Sequence, residues 1–187
     1  MKTGIICIET DWLVTKKRNR LNMDTESLLK FLHEVHQIPY IYRCVATKKE
    51  LQYYLSQFCK DEYRKKYEIL YFSFHGNSYT IHLEGDNEDI SLNELIEIGG
   101  NAFLNRFVHF SSCRTMFRDE SIALEFKKNT KAKLVSGYSK SVNAASAAIH
   151  DISLFDTILR YSQKPSIIKR MNETFGALGK ELGFKIY

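Results

Sequence analysis

Strands and helices alternate along this chain, and the alternation predicts an α/β fold: a three-layer sandwich in which helices cover both faces of a mostly parallel central sheet. Three observations carry that expectation. Short apolar runs rich in β-branched and aromatic residues recur at 3–9, 40–45, 69–74, 107–112 and 133–137. Between them lie segments whose apolar residues follow helical spacing. Two of those segments open on capping boxes, Thr47-Lys48-Lys49-Glu50 and Ser91-Leu92-Asn93-Glu94. In such a box the hydroxyl accepts from the backbone and the glutamate reaches back to it.

Taken in order, the first strand leads into a basic stretch over 11–22. Asp24 is placed to cap a helix running to Gln37, with Leu28, Phe31, Leu32 and Val35 on one apolar face. Pro39 ends it, and 40–45 form the second strand. Thr47 opens a helix whose face is Leu51, Tyr54, Leu55 and Phe58. The third strand, 69–74, stops at His75-Gly76-Asn77. Residues 79–83 then alternate and meet the acidic turn Glu84-Gly85-Asp86-Asn87-Glu88-Asp89, the pattern of a hairpin or flap. Ser91 opens a short helix that Gly99-Gly100 stops. The fourth strand, 107–112, ends at Cys113-Arg114-Thr115. Asp119 caps a helix to Asn129, the fifth strand follows at 133–137, and helices at 144–161 and 166–183 complete the chain. Right-handed crossovers release such strands toward one edge of the sheet. Ligands of open α/β sheets bind at that edge, and it receives both His75 and Cys113.

Composition narrows the function. A length of 187 residues suits one domain spanning 1–187, and 2 Pro with 9 Gly leave no linker. No apolar run reaches the ~18–20 residues of a membrane span. The N-terminal apolar core is too short for a signal peptide, because Glu9 and Asp11 follow at once. A cytoplasmic protein with no membrane partner is expected. The net charge of +5 is mildly basic, but aromatic and basic residues do not interleave as a nucleic-acid platform requires. The dense cluster Lys16-Lys17-Arg18-Asn19-Arg20 reads as a solvated loop. The 4 cysteines lack CxxC or zinc spacing, so neither a disulfide framework nor a metal is indicated. Cys7, Cys44 and Cys59 read as core residues, and His33 and His36 as surface histidines. Gly176-Ala177-Leu178-Gly179 lacks the preceding strand of a phosphate-binding loop, so helix packing explains it and no cofactor is expected.

The chemistry gathers at His75 and Cys113. A thiol attacks as thiolate, and a neighbouring imidazole takes its proton or balances its charge. Alone, Cys113 reads as a small buried hydrophobe; paired with His75-Gly76 at matching strand ends, the catalytic arrangement is favoured. Gly76, without a Cβ, allows a sharp turn and lets its N–H approach a carbonyl. With the amide of Cys113 it supplies two donors for a developing oxyanion.

Ser73-Phe74-His75-Gly76 and Ser111-Ser112-Cys113-Arg114, each closing an apolar strand, together resemble the caspase-like fold of clan CD cysteine peptidases, and its CHAT branch in particular. In that family His-Gly follows the third core strand and the nucleophilic Cys the fourth. The spacing here is compact beside the ~50 residues typical of caspases. The resemblance implies caspase-like topology, with His75 as general base and acid, Cys113 as nucleophile and Gly76 as oxyanion donor. It implies a peptide or protein substrate and leaves room for a regulatory protein partner. It also puts Val135-Ser136-Gly137-Tyr138-Ser139 where the family lines the pocket for the residue before the scissile bond, making Ser139 a substrate contact. Many CHAT members carry an acidic residue a few positions on. Lys140-Ser141-Val142-Asn143 occupies that place here, which leaves Asp151 as the acidic candidate for substrate binding. The expected function is a cysteine endopeptidase. The alternative is a non-catalytic binding or signalling module with a vestigial dyad, its 16–20 loop meeting an anionic partner.

Overall fold

The computed structural model describes residues 3–10 and 25–187. The chain runs β1 (Ile5–Thr10), α1 (Glu26–His36), β2 (Tyr40–Val45), α2 (Lys48–Phe58), α3 (Asp61–Lys66) and β3 (Ile69–Ser73). A small antiparallel sheet follows: β4 (His75–Asn77), β5 (Thr80–Leu83) and β6 (Glu88–Ser91). Next come α4 (Leu92–Gly99), β7 (Phe107–Ser111), α5 (Glu120–Thr130), β8 (Leu134–Tyr138), α6 (Ala144–Arg160), α7 (Lys164–Leu182) and β9 (Phe184–Ile186).

The central sheet has six strands in the order β2-β1-β3-β7-β8-β9. All pairings are parallel except β8 with β9. Strand alternation divides the core in two. Ile6, Ile8, Leu70, Phe72, Val108 and Phe110 share one cluster with residues of α2, α4 and α5. Ile5, Cys7, Ile69 and Tyr71 share the other with residues of α1, α6 and α7. This is the expected three-layer α/β sandwich. Burial on both faces explains why the central strands are near-continuous apolar runs.

Local signals place most elements. Both capping boxes form, Thr47 with Glu50 and Ser91 with Glu94, and Asp119 accepts from the Ser121 amide at the start of α5. Residues 75–91 make the expected flap, three-stranded rather than a simple hairpin. Gly179 of α7 lies against His150, in keeping with a packing role. Asp24 and the 16–20 loop lie outside the described residues. Among the described residues no helix is long and apolar enough to cross a membrane.

Several expectations are corrected. Leu28, Leu29 and Leu32 form the buried face of α1, while Phe31 and Val35 are 49% and 54% exposed. The helix is rotated by about one position from the stripe read off the spacing, and Phe31 borders a cavity instead. Cys44 is exposed because β2 is an edge strand; Cys7 is buried and Cys59 is half-buried. His33 is an exposed surface residue, as expected, with Nδ1 2.6 Å from the Ile38 carbonyl, and His36 is half-buried and pairs with Asp156. Strand β9, three residues long, pairs Tyr138 with Phe184 and closes the sheet beyond β8. So short a segment carries no periodicity of its own.

Phe110 is fully buried, with its ring stacked 5.0 Å from Phe72 and edge-on to Phe126. Phe110→Ala is expected to cost about 3–5 kcal/mol, measured as a lowered midpoint in urea unfolding.

Candidate active site

Strands β3 and β7 are parallel neighbours in a register that ends with Ser73 opposite Ser111. The residues that follow, Phe74-His75 and Ser112-Cys113, therefore leave the sheet side by side. His75 and Cys113 both line one cavity of about 710 Å³, walled mainly by α1 and α6 above the carboxyl ends of these strands. Gly76 crosses the turn that carries Cys113. A Cβ at Gly76 would lie 2.7 Å from the Cys113 carbonyl oxygen and 2.9 Å from both Ser112 Cβ and Thr115 Oγ1. Any larger residue would push the flap off that turn. Arg114 sits in the left-handed region at φ 56°. Its amide donates to the Lys140 carbonyl, and the Met116 amide donates to that of Tyr138, which pins the turn against the chain at the end of β8.

Cys113 is half-buried, and the Val142 amide donates to its Sγ at 3.4 Å. The His75 side chain is 53% exposed, with Nε2 3.5 Å from Glu84 Oε1. Partial burial pulls the His75 pKa down, the Glu84 carboxylate pulls it up and His82 pulls it down. The net result lies below the ordinary histidine value, a shift that favours the neutral ring able to accept a proton. Sequence reading gave Glu84 no role beyond the acidic turn of the flap. Antiparallel pairing of β4 with β5, which sets His75 opposite His82, folds that turn back onto the histidine.

One family model spans residues 2–187. The chain belongs to DUF6642, a family of unknown function. No curated protein matches it.

Beneath the cavity, the DUF6642 chain holds a buried polar network that sequence reading missed. Asp151, with no exposed surface, accepts from Tyr71 OH at 2.7 Å and from Tyr138 OH, and its Oδ1 is 2.7 Å from His109 Nε2. His109 Nδ1 meets Ser136 Oγ at 2.9 Å. Burial alone would raise the Asp151 pKa; the His109 imidazole and the surrounding donors outweigh it and hold the carboxyl below its ordinary value. Burial, reinforced by the Asp151 charge, lifts both tyrosines well above theirs, so they stay protonated donors. His109 sits inside an apolar strand run, and nothing next to it in the sequence marks it as a site residue. The missed signal was a row: Tyr71 pairs with His109 and His109 with Ser136 across the sheet. Each is the polar third residue of an apolar strand, and period-two alternation turns all three toward α6.

Of the residues expected at the site, His75, Cys113 and Asp151 share the cavity wall in this DUF6642 structure, and Gly76 packs directly behind Cys113. Ser139 is not on the described wall. Its amide and hydroxyl both donate to the Gly183 carbonyl, at 2.9 and 2.8 Å, tying the end of β8 to the end of α7.

Two outcomes are expected. Glu84→Gln removes the charge that raises the His75 pKa, so the His75 ring signals should titrate at lower pH in NMR. His150, wedged between Tyr138 and Phe184, is pushed by burial from 6.5 to about 4. A folded-state pKa below the unfolded value means stability is full above about pH 6.5 and declines toward pH 4, by at most on the order of 3 kcal/mol. Urea unfolding of His150→Gln should lose this slope. The loss tied to Asp151 sets in only as pH falls below about 3.9 and persists in that variant.

Proposed function

We propose that the chain is a cytoplasmic, caspase-like cysteine endopeptidase that cleaves peptide bonds through Cys113 and His75. One observation carries the reading: adjacent parallel strands in register release an imidazole and a thiol into the wall of a single cavity. His-Gly after the third strand and Cys after the fourth, counting along the large sheet, is the placement implied by the resemblance to clan CD. Cys59 and Cys113 are free thiols, in keeping with a reducing compartment.

The reaction follows from these groups. His75 takes the Cys113 proton, and the thiolate attacks the scissile carbonyl carbon, forming a carbon–sulfur bond and moving an electron pair onto oxygen. The amides of Gly76 and Cys113 are the donors assigned to that oxyanion. Collapse breaks the carbon–nitrogen bond, and the imidazolium gives its proton to the departing amine. Water then attacks the thioester as His75 takes its proton, the acid product leaves, and the thiol is restored. Glu84 steadies the imidazole and favours its charged form between the two proton transfers.

Cys113→Ala should abolish both peptide cleavage and labelling by an electrophilic peptide probe, followed by intact-protein mass spectrometry. His75→Ala should slow labelling roughly 100-fold. Labelling unchanged in the Cys113→Ala variant would overturn the mechanism and leave the non-catalytic binding module in its place.

A further inference from the structure

We infer that the cavity beside Cys113 takes an uncharged, apolar side chain, that of the residue whose carbonyl the thiol attacks. The inference rests on the proposed peptidase reading and names the substrate class for it. Three features lead there.

The first is the wall. Leu28 and Phe31 of α1 face Ala144, Ala148 and Ile152 of α6 across the space. Four alanines of the α6 wall, Ala144, Ala145, Ala147 and Ala148, are what leave the hollow open, since larger residues there would project into it. Phe31 stands about half exposed at the border, a position that lets its ring close over an inserted aliphatic or aromatic group.

The second is charge. Among the described residues lining the cavity, apart from His75 and Cys113 themselves, Asp151 is the one readily ionised group. It would be the natural partner for a lysine or arginine side chain, the role that sequence reading gave it. Its carboxylate is already committed. Tyr71 and Tyr138 donate to it, His109 Nε2 touches it, and none of its surface is exposed. A cation entering the cavity would shed water and find that carboxylate spent on protein donors. Without compensation, desolvating a charge is strongly unfavourable.

The third is the converse case. The described wall carries no lysine or arginine, so among these residues an aspartate or glutamate side chain would find no cationic partner apart from His75. The polar residues of the wall add no cation either: the Thr25 and Ser73 hydroxyls bond each other and the Glu9 carboxylate behind them. An apolar side chain gains from burial throughout, and even one methylene in such a pocket is worth roughly tenfold in rate or more.

The test uses three acyloxymethyl ketones that differ only in the residue next to the electrophile: norleucine, arginine or aspartate. Labelling forms a thioether between Sγ and the methylene carbon and expels the acyloxy group as a carboxylate. Its rate is read by intact-protein mass spectrometry on the full chain. Norleucine should label Cys113 at least tenfold faster than either charged probe, and Ala148→Glu should reverse the norleucine-to-arginine order. Because the reversal is a ratio within one variant, loss of folded protein cannot mimic it. An arginine or aspartate probe that matches norleucine on the native chain overturns the inference. So does the failure of all three probes while alkylation of Cys113 by chloroacetamide still slows in His75→Ala, and in that case the dyad itself stands. Failure of all three with chloroacetamide alkylation indifferent to His75 removes the peptidase reading and the specificity together.

Discussion

A fully buried carboxylate holds the two halves of this site in place. Asp151 projects from α6 and is met by Tyr71 of β3, His109 of β7 and Tyr138 of β8. An unpaired charge at that depth would cost about 3–5 kcal/mol, so α6 has one favourable seat on the sheet. That seat decides where the N-terminal turn of α6 lies, and with it the Val142 amide that reaches Cys113 and the alanines that line the hollow. The hydrogen bonds do more than offset burial. They convert the positions of three separate strands into the position of one helix.

What could be read directly from the sequence was whatever a few neighbouring residues specify. Apolar runs marked the parallel strands, the capping boxes marked two helix starts, and the ends of the third and fourth strands marked the histidine and the thiol. What escaped depends on residues distant in the chain. Glu84 reaches His75 through an antiparallel pairing whose register the alternation at 79–83 did not reveal. Tyr71 and His109, two of the groups that meet Asp151, come from neighbouring strands, and each alone looks like an isolated polar residue in an apolar run. Aligned by register they form a row with Ser136, so the signal existed but required the strand order first. The orientation of α1 was misjudged for a related reason. Spacing defines a stripe only to within a residue, and packing chooses which edge of it turns inward, leaving Phe31 at the cavity.

The turn that carries Cys113 also shows how main-chain geometry positions a thiol. Arg114 adopts a left-handed conformation beside the thiol, a conformation that non-glycine residues populate sparingly and that surrounding contacts must impose. Here they are the bonds to the Lys140 and Tyr138 carbonyls on one side and the close approach of Gly76 on the other. The turn is held by these backbone bonds together with the buried hydroxyls of Ser112 and Thr115, which bond each other, and Thr115 also donates to the Thr80 carbonyl.

Since neither that frame nor the carboxylate beneath it draws its form from sulfur, exchanging the one atom for oxygen leaves the mould standing. On the proposed peptidase reading, a chain altered in that way would become a snare: it would keep its grip on molecules that the native form lets go, and what it retained could be eluted and identified.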